Sequence, residues 1–356
     1  MWGDIAIAFL LALITAFVFT PYSIKLAKKV GAVDMPNDER KINKTPMPRL
    51  GGIAVIIGFI VSMSYLVIVM SIEGKFDLAS NYQMLCGFLL GAFILGIVCY
   101  FDDIHNVSPL VKLLAQIIAA SIAVWAGVRI GNLNIPFLYK VGLNGAFSTI
   151  LTICWIVGVT NAINLIDGLD GLSSGIAIIS SVSLLIIFTL NGSPLIAILL
   201  ITALLGSLVG FLPFNFNPAK TFMGDVGSNF LGFSLAIISI LGVAKTYTLI
   251  VIVAPLIVLA LPVFDTLWAI FRRVIKERSF KAIIKPDAGH LHHRIMKKGF
   301  TQKQAVFILY GISAGLGMFA VILLESGFWK AISFLLIVAA VIAIGYNSLI
   351  KNKEKI

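Results

Sequence analysis

The sequence predicts an all-α polytopic integral membrane protein with about eleven transmembrane helices. Of its 356 residues, 59% are apolar and only 12% are charged, against roughly 25% charged residues in an ordinary soluble domain. The apolar residues form unbroken runs rather than the alternating pattern of a membrane β-barrel. A chain of this size has too few polar residues to cover a soluble core, which excludes soluble enzymes, disordered chains and disulfide scaffolds.

Eleven apolar runs approach the ~20 residues that a membrane-crossing helix needs. We predict spans at residues 4–24, 51–71, 83–101, 110–127, 147–165, 174–190, 194–212, 228–243, 248–270, 304–324 and 331–349. The first run has no basic residues ahead of it and no small-residue cleavage site after it, which indicates a retained span rather than a signal peptide. The cysteines lie inside apolar runs, without the spacing of a zinc site or a disulfide framework.

The distribution of basic residues predicts the orientation. An odd number of spans puts the two termini on opposite sides, and 22 of the 27 Lys and Arg residues then share one side. Because cytoplasmic loops carry the excess of basic residues, we predict an external N-terminus and a cytoplasmic C-terminus. The basic residues are expected to be attracted to the anionic head groups of membrane lipids. No stacking motif accompanies them, so no nucleic-acid partner is expected.

All four histidines and most of the acids fall on the predicted cytoplasmic side. We therefore interpret the chain as a single transmembrane catalytic domain, residues 1–356, whose active site is formed by the loops at 25–50, 102–109, 166–173, 213–227 and 271–303. A solute carrier is the alternative from another class. Carriers place ionisable groups near the bilayer midplane, and the mid-span positions here are almost free of them.

Two adjacent acids, Asp102 and Asp103, end the third span. Adjacent like charges at the edge of the hydrocarbon are costly unless a cation neutralises them. Lys112, nine residues later, begins the fourth span and can return to face the pair. A solvated loop start is the alternative to a site that handles a divalent metal or a phosphate.

A second polar cluster ends the fifth span. Asn161, Asn164 and Asp167 recur every three residues on one helical face, and Asp170 follows. Polar groups on an otherwise apolar span need partners, and the intervening glycines let the backbone approach a ligand closely. A helix-end capping cluster would explain only Asp170 and one glycine.

A third cluster surrounds Asp225, a lone acid between two glycines just before the eighth span. An N-cap is its structural interpretation. Hard oxygen ligands at a phosphate site are what Mg²⁺ prefers, and Asp225 together with Asn164 or Asp102 would supply them.

A histidine-rich stretch lies in the loop after the ninth span: His290, His292, His293 and Arg294. It suits phosphate binding better than a closed zinc site, because no cysteine lies nearby and the arginine disfavours a second cation. A solvated, pH-responsive loop is the alternative. Asp265, with Arg272 and Arg273 two turns later, is expected to form a structural ion pair.

These clusters together resemble the polyprenyl-phosphate N-acetylhexosamine-1-phosphate transferases. The peptidoglycan branch of that family has three consecutive histidines, whereas this chain has His-Leu-His-His-Arg, so it looks like the branch that uses N-acetylglucosamine. The likeness runs over about residues 15 to 300. The matching stretches are Thr45–Gly52, Asp102–Asp103, Asn161–Leu172, Phe222–Ser228, Pro262–Thr266 and His290–Arg294.

The resemblance implies a bacterial plasma-membrane enzyme that joins two substrates at the cytoplasmic face. It would transfer N-acetylglucosamine 1-phosphate from UDP-N-acetylglucosamine to undecaprenyl phosphate, releasing UMP and starting an envelope polymer such as a teichoic acid or lipopolysaccharide O-antigen. Two anionic phosphates must meet, so Mg²⁺, or Mn²⁺ in its place, and basic groups must cancel charge.

The resemblance also implies residue roles. Asp225 and Asn164 would bind the metal, and Asp102 or Asp103 would orient or deprotonate the lipid phosphate. Asp170, Asn215 and Phe222 would hold the uridine, and the histidine stretch with Arg294 would hold the sugar-phosphate end. Asp167 joins the expected catalytic acids, and Asn161, Lys112 and Arg49 join the expected substrate-binding residues.

Several alternatives stay open at this point. The same chemistry with another UDP-amino sugar is one, and the solute carrier is another. A CDP-alcohol phosphotransferase is set aside, because Asp170-Gly171 is not followed by the Ala-Arg of that signature. The sequence leaves open the polymer, the sugar's C4 stereochemistry, a direct or a covalent two-step route, and a homodimer.

Overall fold

The computed structural model describes residues 2–36, 45–131, 145–243, 249–277 and 289–353. In these ranges the chain forms thirteen helices and two short strands. The helices are α1 (Trp2–Val30), α2 (Gly52–Ile72), α3 (Leu78–His105), α4 (Pro109–Trp125), α5 (Gly145–Ile166), α6 (Leu172–Leu190), α7 (Leu195–Asn215), α8 (Gly224–Val243), α9 (Leu249–Val258), α10 (Ala260–Glu277), α11 (Leu291–Lys297), α12 (Gln302–Ser326) and α13 (Phe328–Lys353).

The helical membrane architecture is confirmed. Eight of the described helices are long and apolar enough to cross a bilayer, namely α1, α2, α3, α5, α6, α7, α8 and α12. Helix α4, with 17 residues, is apolar but shorter. The predicted loop at 25–50 holds the two strands, β1 (Val33–Asp34) and β2 (Met47–Pro48), which pair antiparallel. Part of that loop (37–44) and part of the loop at 271–303 (278–288) lie outside the described residues.

The single helix predicted at 248–270 is wrong, because the chain forms two helices there, α9 and α10. Pro262 has no N–H to donate to the carbonyl four residues earlier, which is that of Val258, the last residue of α9. The series of backbone hydrogen bonds along the helix is therefore interrupted at Val258. Helix α10 continues as a separate element whose exposed side chains include Phe264, Trp268 and Phe271.

Helix α8 lies at the centre of the bundle. Nearly every residue along it is buried, and it packs against α2, α3, α5 and α7. A helix that is apolar all round is expected to be enclosed by others. Asp225 lies in its first turn. The candidate site therefore lies at the N-terminal end of the most enclosed helix of the bundle.

The start of α8 lies directly against the start of α2. A Cβ atom on Gly52 would come within 2.1 Å of the Cα atom of Gly227, so the two helix ends can approach this closely only because both residues are glycines. The contact sets the chain around Arg49 beside the first turn of α8, and the Gly51 and Gly52 amides donate to the carbonyls of Phe222 and Met223.

Candidate active site

The ends of α3, α4 and α8 and the segment before α2 bring one lysine, one arginine and three aspartates together. Arg49 Nε lies 3.5 Å from Asp103 Oδ1, and an Arg49 terminal nitrogen lies 3.7 Å from Asp225 Oδ2. Lys112 Nζ lies 2.7 Å from Asp102 Oδ2 and 3.6 Å from Asp225 Oδ2. Two cations therefore face three carboxylates at the edge of the bundle, so positive charge is locally in deficit.

Asp103 holds the first turn of α8. Its two carboxylate oxygens accept from the backbone N–H groups of Asp225, at 2.9 Å, and Val226, at 3.0 Å. Its side chain is fully buried. Free N–H groups at a helix start attract a carboxylate. Both oxygens are thus engaged with the protein, which favours a positioning role over the expected handling of the lipid phosphate.

Asp102 orients Lys112. One of its oxygens accepts from the Val107 amide at 2.6 Å, and the other pairs with the Lys112 ammonium. The expectation that Lys112 returns to the acidic pair is confirmed, with Asp102 as its partner. The ammonium is left between Asp102 and Asp225, where it can also meet an incoming phosphate.

Asp225 is the most accessible of the three carboxylates. Its side chain is 16% exposed, and its Oδ1 accepts from Asn164 Nδ2 at 2.6 Å. Asn164 also donates to the hydroxyl of Ser228 at 2.8 Å. The structure thus brings together the two residues expected to bind metal, although they come from α5 and α8.

The loop after α5 carries two further acids. Asp167 accepts from the Ser173 hydroxyl at 2.5 Å. Burial raises the pKa of Asp167 to about 7, against the lowering effect of that hydrogen bond and with some help from the Asp225 carboxylate. Asp170 accepts from Asn217 Nδ2 at 2.8 Å and from the Ala219 amide at 3.1 Å, so it ties this loop to the segment that leads into α8.

Two of the expected substrate-binding side chains are engaged by the protein itself. Asn215 is buried, accepting from the Ser174 hydroxyl and donating to the Thr221 carbonyl. Asn161 bonds to Gln116 inside the bundle. Phe222, in contrast, is half-buried and lines a polar cavity, as a stacking platform for a base would.

The histidine stretch is anchored by Asp265, whose described partners differ from the expected arginines. Asp265 Oδ2 lies 2.8 Å from His290 Nδ1, and Oδ1 accepts from the Leu291 amide at 2.8 Å. His292 is buried, and burial together with the neighbouring His293 and His290 lowers its pKa to about 3. A neutral His292 adds no positive charge for a phosphate.

In the described part of the chain, Arg294 lies outside the candidate site. Its side chain is exposed, and it is absent from the lining of both cavities described below. His290, His292 and His293 line the larger cavity, whereas Arg294 does not. The resemblance implied that Arg294 holds the sugar phosphate together with the histidines, but neighbouring side chains on a helix point about 100° apart, so Arg294 need not face the cavity that His293 lines.

Two cavities meet at this cluster. The larger, about 1150 Å³, runs between α4, α5, α8, α9 and α10, with mostly apolar walls and with Lys112 and the histidines at one end. The smaller, about 300 Å³, is lined by polar side chains that include Arg49, Asp167, Asp170, Asn215 and Asp225, with Phe222 among them. Asn164, Gly168 and His293 line both.

The donor set fits a Mg²⁺ ion that is shared with a substrate. In the described part of the chain no three His, Cys, Asp or Glu side chains are grouped to hold a metal by themselves. Asp225 and Asn164 both line the polar cavity and each carries hard oxygen atoms. Mg²⁺ commonly uses one or two protein carboxylates and completes its shell with phosphate oxygens and water.

The sequence reasoning missed several side chains of the site. They are Gln116, Ser173, Asn217, Asn229 and Gln302, of which Gln302 lines the polar cavity, as Asp34 does. Helical spacing could have found two of them, because Gln116 follows Lys112 by four residues and Asn229 follows Asp225 by four. Ser173, Asn217 and Gln302 carry no such signal.

Comparison with known proteins identifies the relatives of the chain. A sequence model described as glycosyl transferase family 4 matches residues 85–243. The probable undecaprenyl-phosphate N-acetylglucosaminyl 1-phosphate transferase of Bacillus subtilis is 37% identical over 356 residues, covering 99% of this chain and 94% of that one. The decaprenyl-phosphate N-acetylglucosaminephosphotransferase of Mycobacterium tuberculosis is 32% identical, over 84% of this chain and 77% of that one. The undecaprenyl-phosphate alpha-N-acetylglucosaminyl 1-phosphate transferase of Salmonella typhi is 29% identical, over 85% and 80%.

Proposed function

The chain belongs to glycosyl transferase family 4, and from that premise we propose that it transfers N-acetylglucosamine 1-phosphate from UDP-N-acetylglucosamine to undecaprenyl phosphate. The products are undecaprenyl-diphospho-N-acetylglucosamine and UMP. The observation that carries the proposal is the junction of a long apolar cavity and a small polar cavity at Asn164, Gly168 and His293. Such a junction suits a reaction between a lipid and a nucleotide.

The apolar cavity is the proposed site of the lipid. Its walls are mainly apolar side chains of membrane helices, such as Leu151, Leu256 and Leu267. A polyprenyl chain buries apolar surface there at about 25 cal/mol per Å². The phosphate head then lies at the end of the cavity marked by Lys112, whose ammonium is already held in place by Asp102.

The polar cavity is the proposed site of the nucleotide sugar. Phe222 offers an aromatic face for the uracil, and Asp170 lines the same cavity. The diphosphate would lie between Arg49 and Lys112, the two cations closest to Asp225. The 300 Å³ volume encloses only part of such a ligand, so the rest of the nucleotide sugar extends beyond it.

A bound Mg²⁺ would cancel charge on the diphosphate, and Asp225 and Asn164 are the residues that would hold it. The protein's own contribution is positioning. Asp103 fixes the first turn of α8, so the Asp225 carboxylate is held at the edge of the polar cavity. Lys112 and Arg49 lower the repulsion between the two substrates.

In the proposed reaction an oxygen of the lipid phosphate attacks the β-phosphorus of UDP-N-acetylglucosamine. A new P–O–P bond forms to the lipid, the bond to the α-phosphate oxygen breaks, and UMP leaves with that oxygen and its electron pair. The second pKa of a phosphate monoester is about 6, so the lipid phosphate is largely ionised at neutral pH. A strong general base is therefore unnecessary.

We also propose the finer topology: eleven crossings, a plasma-membrane location, and a site that faces the cytoplasm. The support is the asymmetry of Lys and Arg, with 22 of 27 on one side. Lys298 and Glu325 lie near opposite ends of α12. A cysteine at Lys298 should react with an impermeant maleimide only from the cytoplasmic side, and one at Glu325 only from outside; the reverse pattern would overturn the orientation.

The function is tested by incubating the purified protein with undecaprenyl phosphate, Mg²⁺ and a panel of UDP-sugars, and measuring UMP release. We expect turnover with UDP-N-acetylglucosamine and little with UDP-N-acetylmuramoyl-pentapeptide. The Asp225→Asn variant is the control, since it keeps the shape and removes the anionic ligand. Preference for another amino sugar would replace the substrate assignment, and solute flux in liposomes without lipid acceptor would favour a carrier.

A further inference from the structure

A layer of three carboxamides lies one helical turn inside the bundle from the site. Each member lies three or four residues from a site residue on the same helix, which is the spacing of side chains on one helical face. The pairs are Gln116 with Lys112 on α4, Asn161 with Asn164 on α5, and Asn229 with Asp225 on α8.

Hydrogen bonds join these three carboxamides directly. Gln116 Nε2 donates to Asn229 Oδ1 at 2.8 Å and to Asn161 Oδ1 at 3.3 Å. Asn161 Nδ2 donates back to Gln116 Oε1 at 2.5 Å. Asn229 Nδ2 donates to the backbone carbonyl of Asp225 at 2.9 Å. Gln116 is therefore the centre of a network that links α4, α5 and α8 and ends on the backbone of the candidate metal ligand.

Two members of the network are almost fully buried. Gln116 is 3% exposed and Asn229 is 1% exposed, so neither can replace a lost partner with bulk water. Unpaired amides are costly in such surroundings. Moving any of the three helices by one turn would break the network, so it favours a single register among α4, α5 and α8.

We propose that Gln116 is a positioning residue for the transfer reaction. Through Asn161 and Asn229 it fixes the register of the three helices and holds Lys112, Asn164 and Asp225 at their mutual distances. The inference rests on the proposed function. Gln116 and Asn161 also line the apolar cavity, so direct contact with the lipid phosphate is the rival role. Against that role, both polar atoms of the Gln116 amide are already used by neighbouring side chains.

The test is the Gln116→Met variant, which keeps the length of the side chain and removes every hydrogen bond it makes. We expect kcat to fall by roughly tenfold to a hundredfold, the scale on which a ~1 Å misplacement of reacting groups acts. The KM values for both substrates should change less than kcat. Asn229→Leu should show the same pattern, and the double variant should be little worse than either single one, because all three remove one network.

Ser62→Ala is the matched control. The Ser62 hydroxyl donates to the Ala8 carbonyl at 2.8 Å, a buried bond between α1 and α2 away from the site, and its loss should leave kcat near wild type. Thermal unfolding of each purified variant shows whether it is folded. Wild-type kcat in folded Gln116→Met would overturn the inference, as would a raised KM for the lipid alone, which would make Gln116 a substrate contact. An inactive wild-type protein would instead refute the proposed function.

Discussion

A substitution of Asp103 distinguishes a residue that positions α8 from one that acts on a substrate. The two oxygens of Asp103 accept from the first amides of α8 at 2.9 and 3.0 Å in a fully buried place. In Asp103→Asn, one of these oxygens becomes an amide group that faces an N–H donor. The variant loses at least one charge-assisted hydrogen bond, which contributes about 1.5–3 kcal/mol to the free energy of unfolding.

Two assays on each purified variant decide the role of Asp103. We expect Asp103→Asn to lower both the unfolding temperature and UMP release, whereas Asp225→Asn should lower UMP release by orders of magnitude with little change in unfolding temperature. Asp77→Asn is the matched control, because Asp77 caps α3 by accepting from the Ser80 amide and asparagine caps about as well. An Asp103→Asn protein with wild-type unfolding and no activity would refute the capping role and restore Asp103 as a group that acts on the lipid phosphate.

Three further predictions concern the cavities and the histidine stretch. Lys112→Met should raise the KM for undecaprenyl phosphate by tenfold or more, since the loss of one charged hydrogen bond is worth about 1.5–3 kcal/mol; an unchanged KM in lipid-titration kinetics would contradict this. Undecaprenyl phosphate should slow maleimide labelling of Cys154, which lines the apolar cavity, and leave exposed Cys86 on α3 unprotected; equal rates would remove the lipid from that cavity. Because the pKa of His292 is lowered to about 3, only the unfolded chain binds this proton between that value and the ordinary pKa of about 6.5. Stability should thus fall as pH drops through this window, less so in His292→Gln, as unfolding temperatures at pH 7 and pH 5 would show.

The sequence sufficed to predict the helical membrane class and several of the residues that meet at the site. Charged and amide side chains are few at the ends of the spans in a strongly apolar chain, so Asp102, Lys112, Asn164 and Asp225 stood out, and helical spacing related those on one helix. The short contact between Asn164 and Asp225 still required the fold, because they are 61 residues apart.

Other roles depended on contacts that no sequence pattern carries. Asp103 is adjacent to Asp102, yet its orientation gives it two backbone partners on another helix. Asp265 lies 25 residues from His290 and was expected to pair with nearby arginines. Gln116 is an ordinary polar residue in an apolar span until the packing of α4 against α5 and α8 gives it partners.

The proposed reaction transfers a sugar phosphate, rather than a sugar, to the lipid. It is tested most directly with UDP-N-acetylglucosamine that carries a radioactive β-phosphate, incubated with the purified protein, Mg²⁺ and undecaprenyl phosphate. We expect the label to move into the lipid fraction in step with UMP release, and Asp225→Asn to abolish both. Label that stays in soluble UDP while the sugar reaches the lipid, or that never leaves the nucleotide sugar, would contradict it.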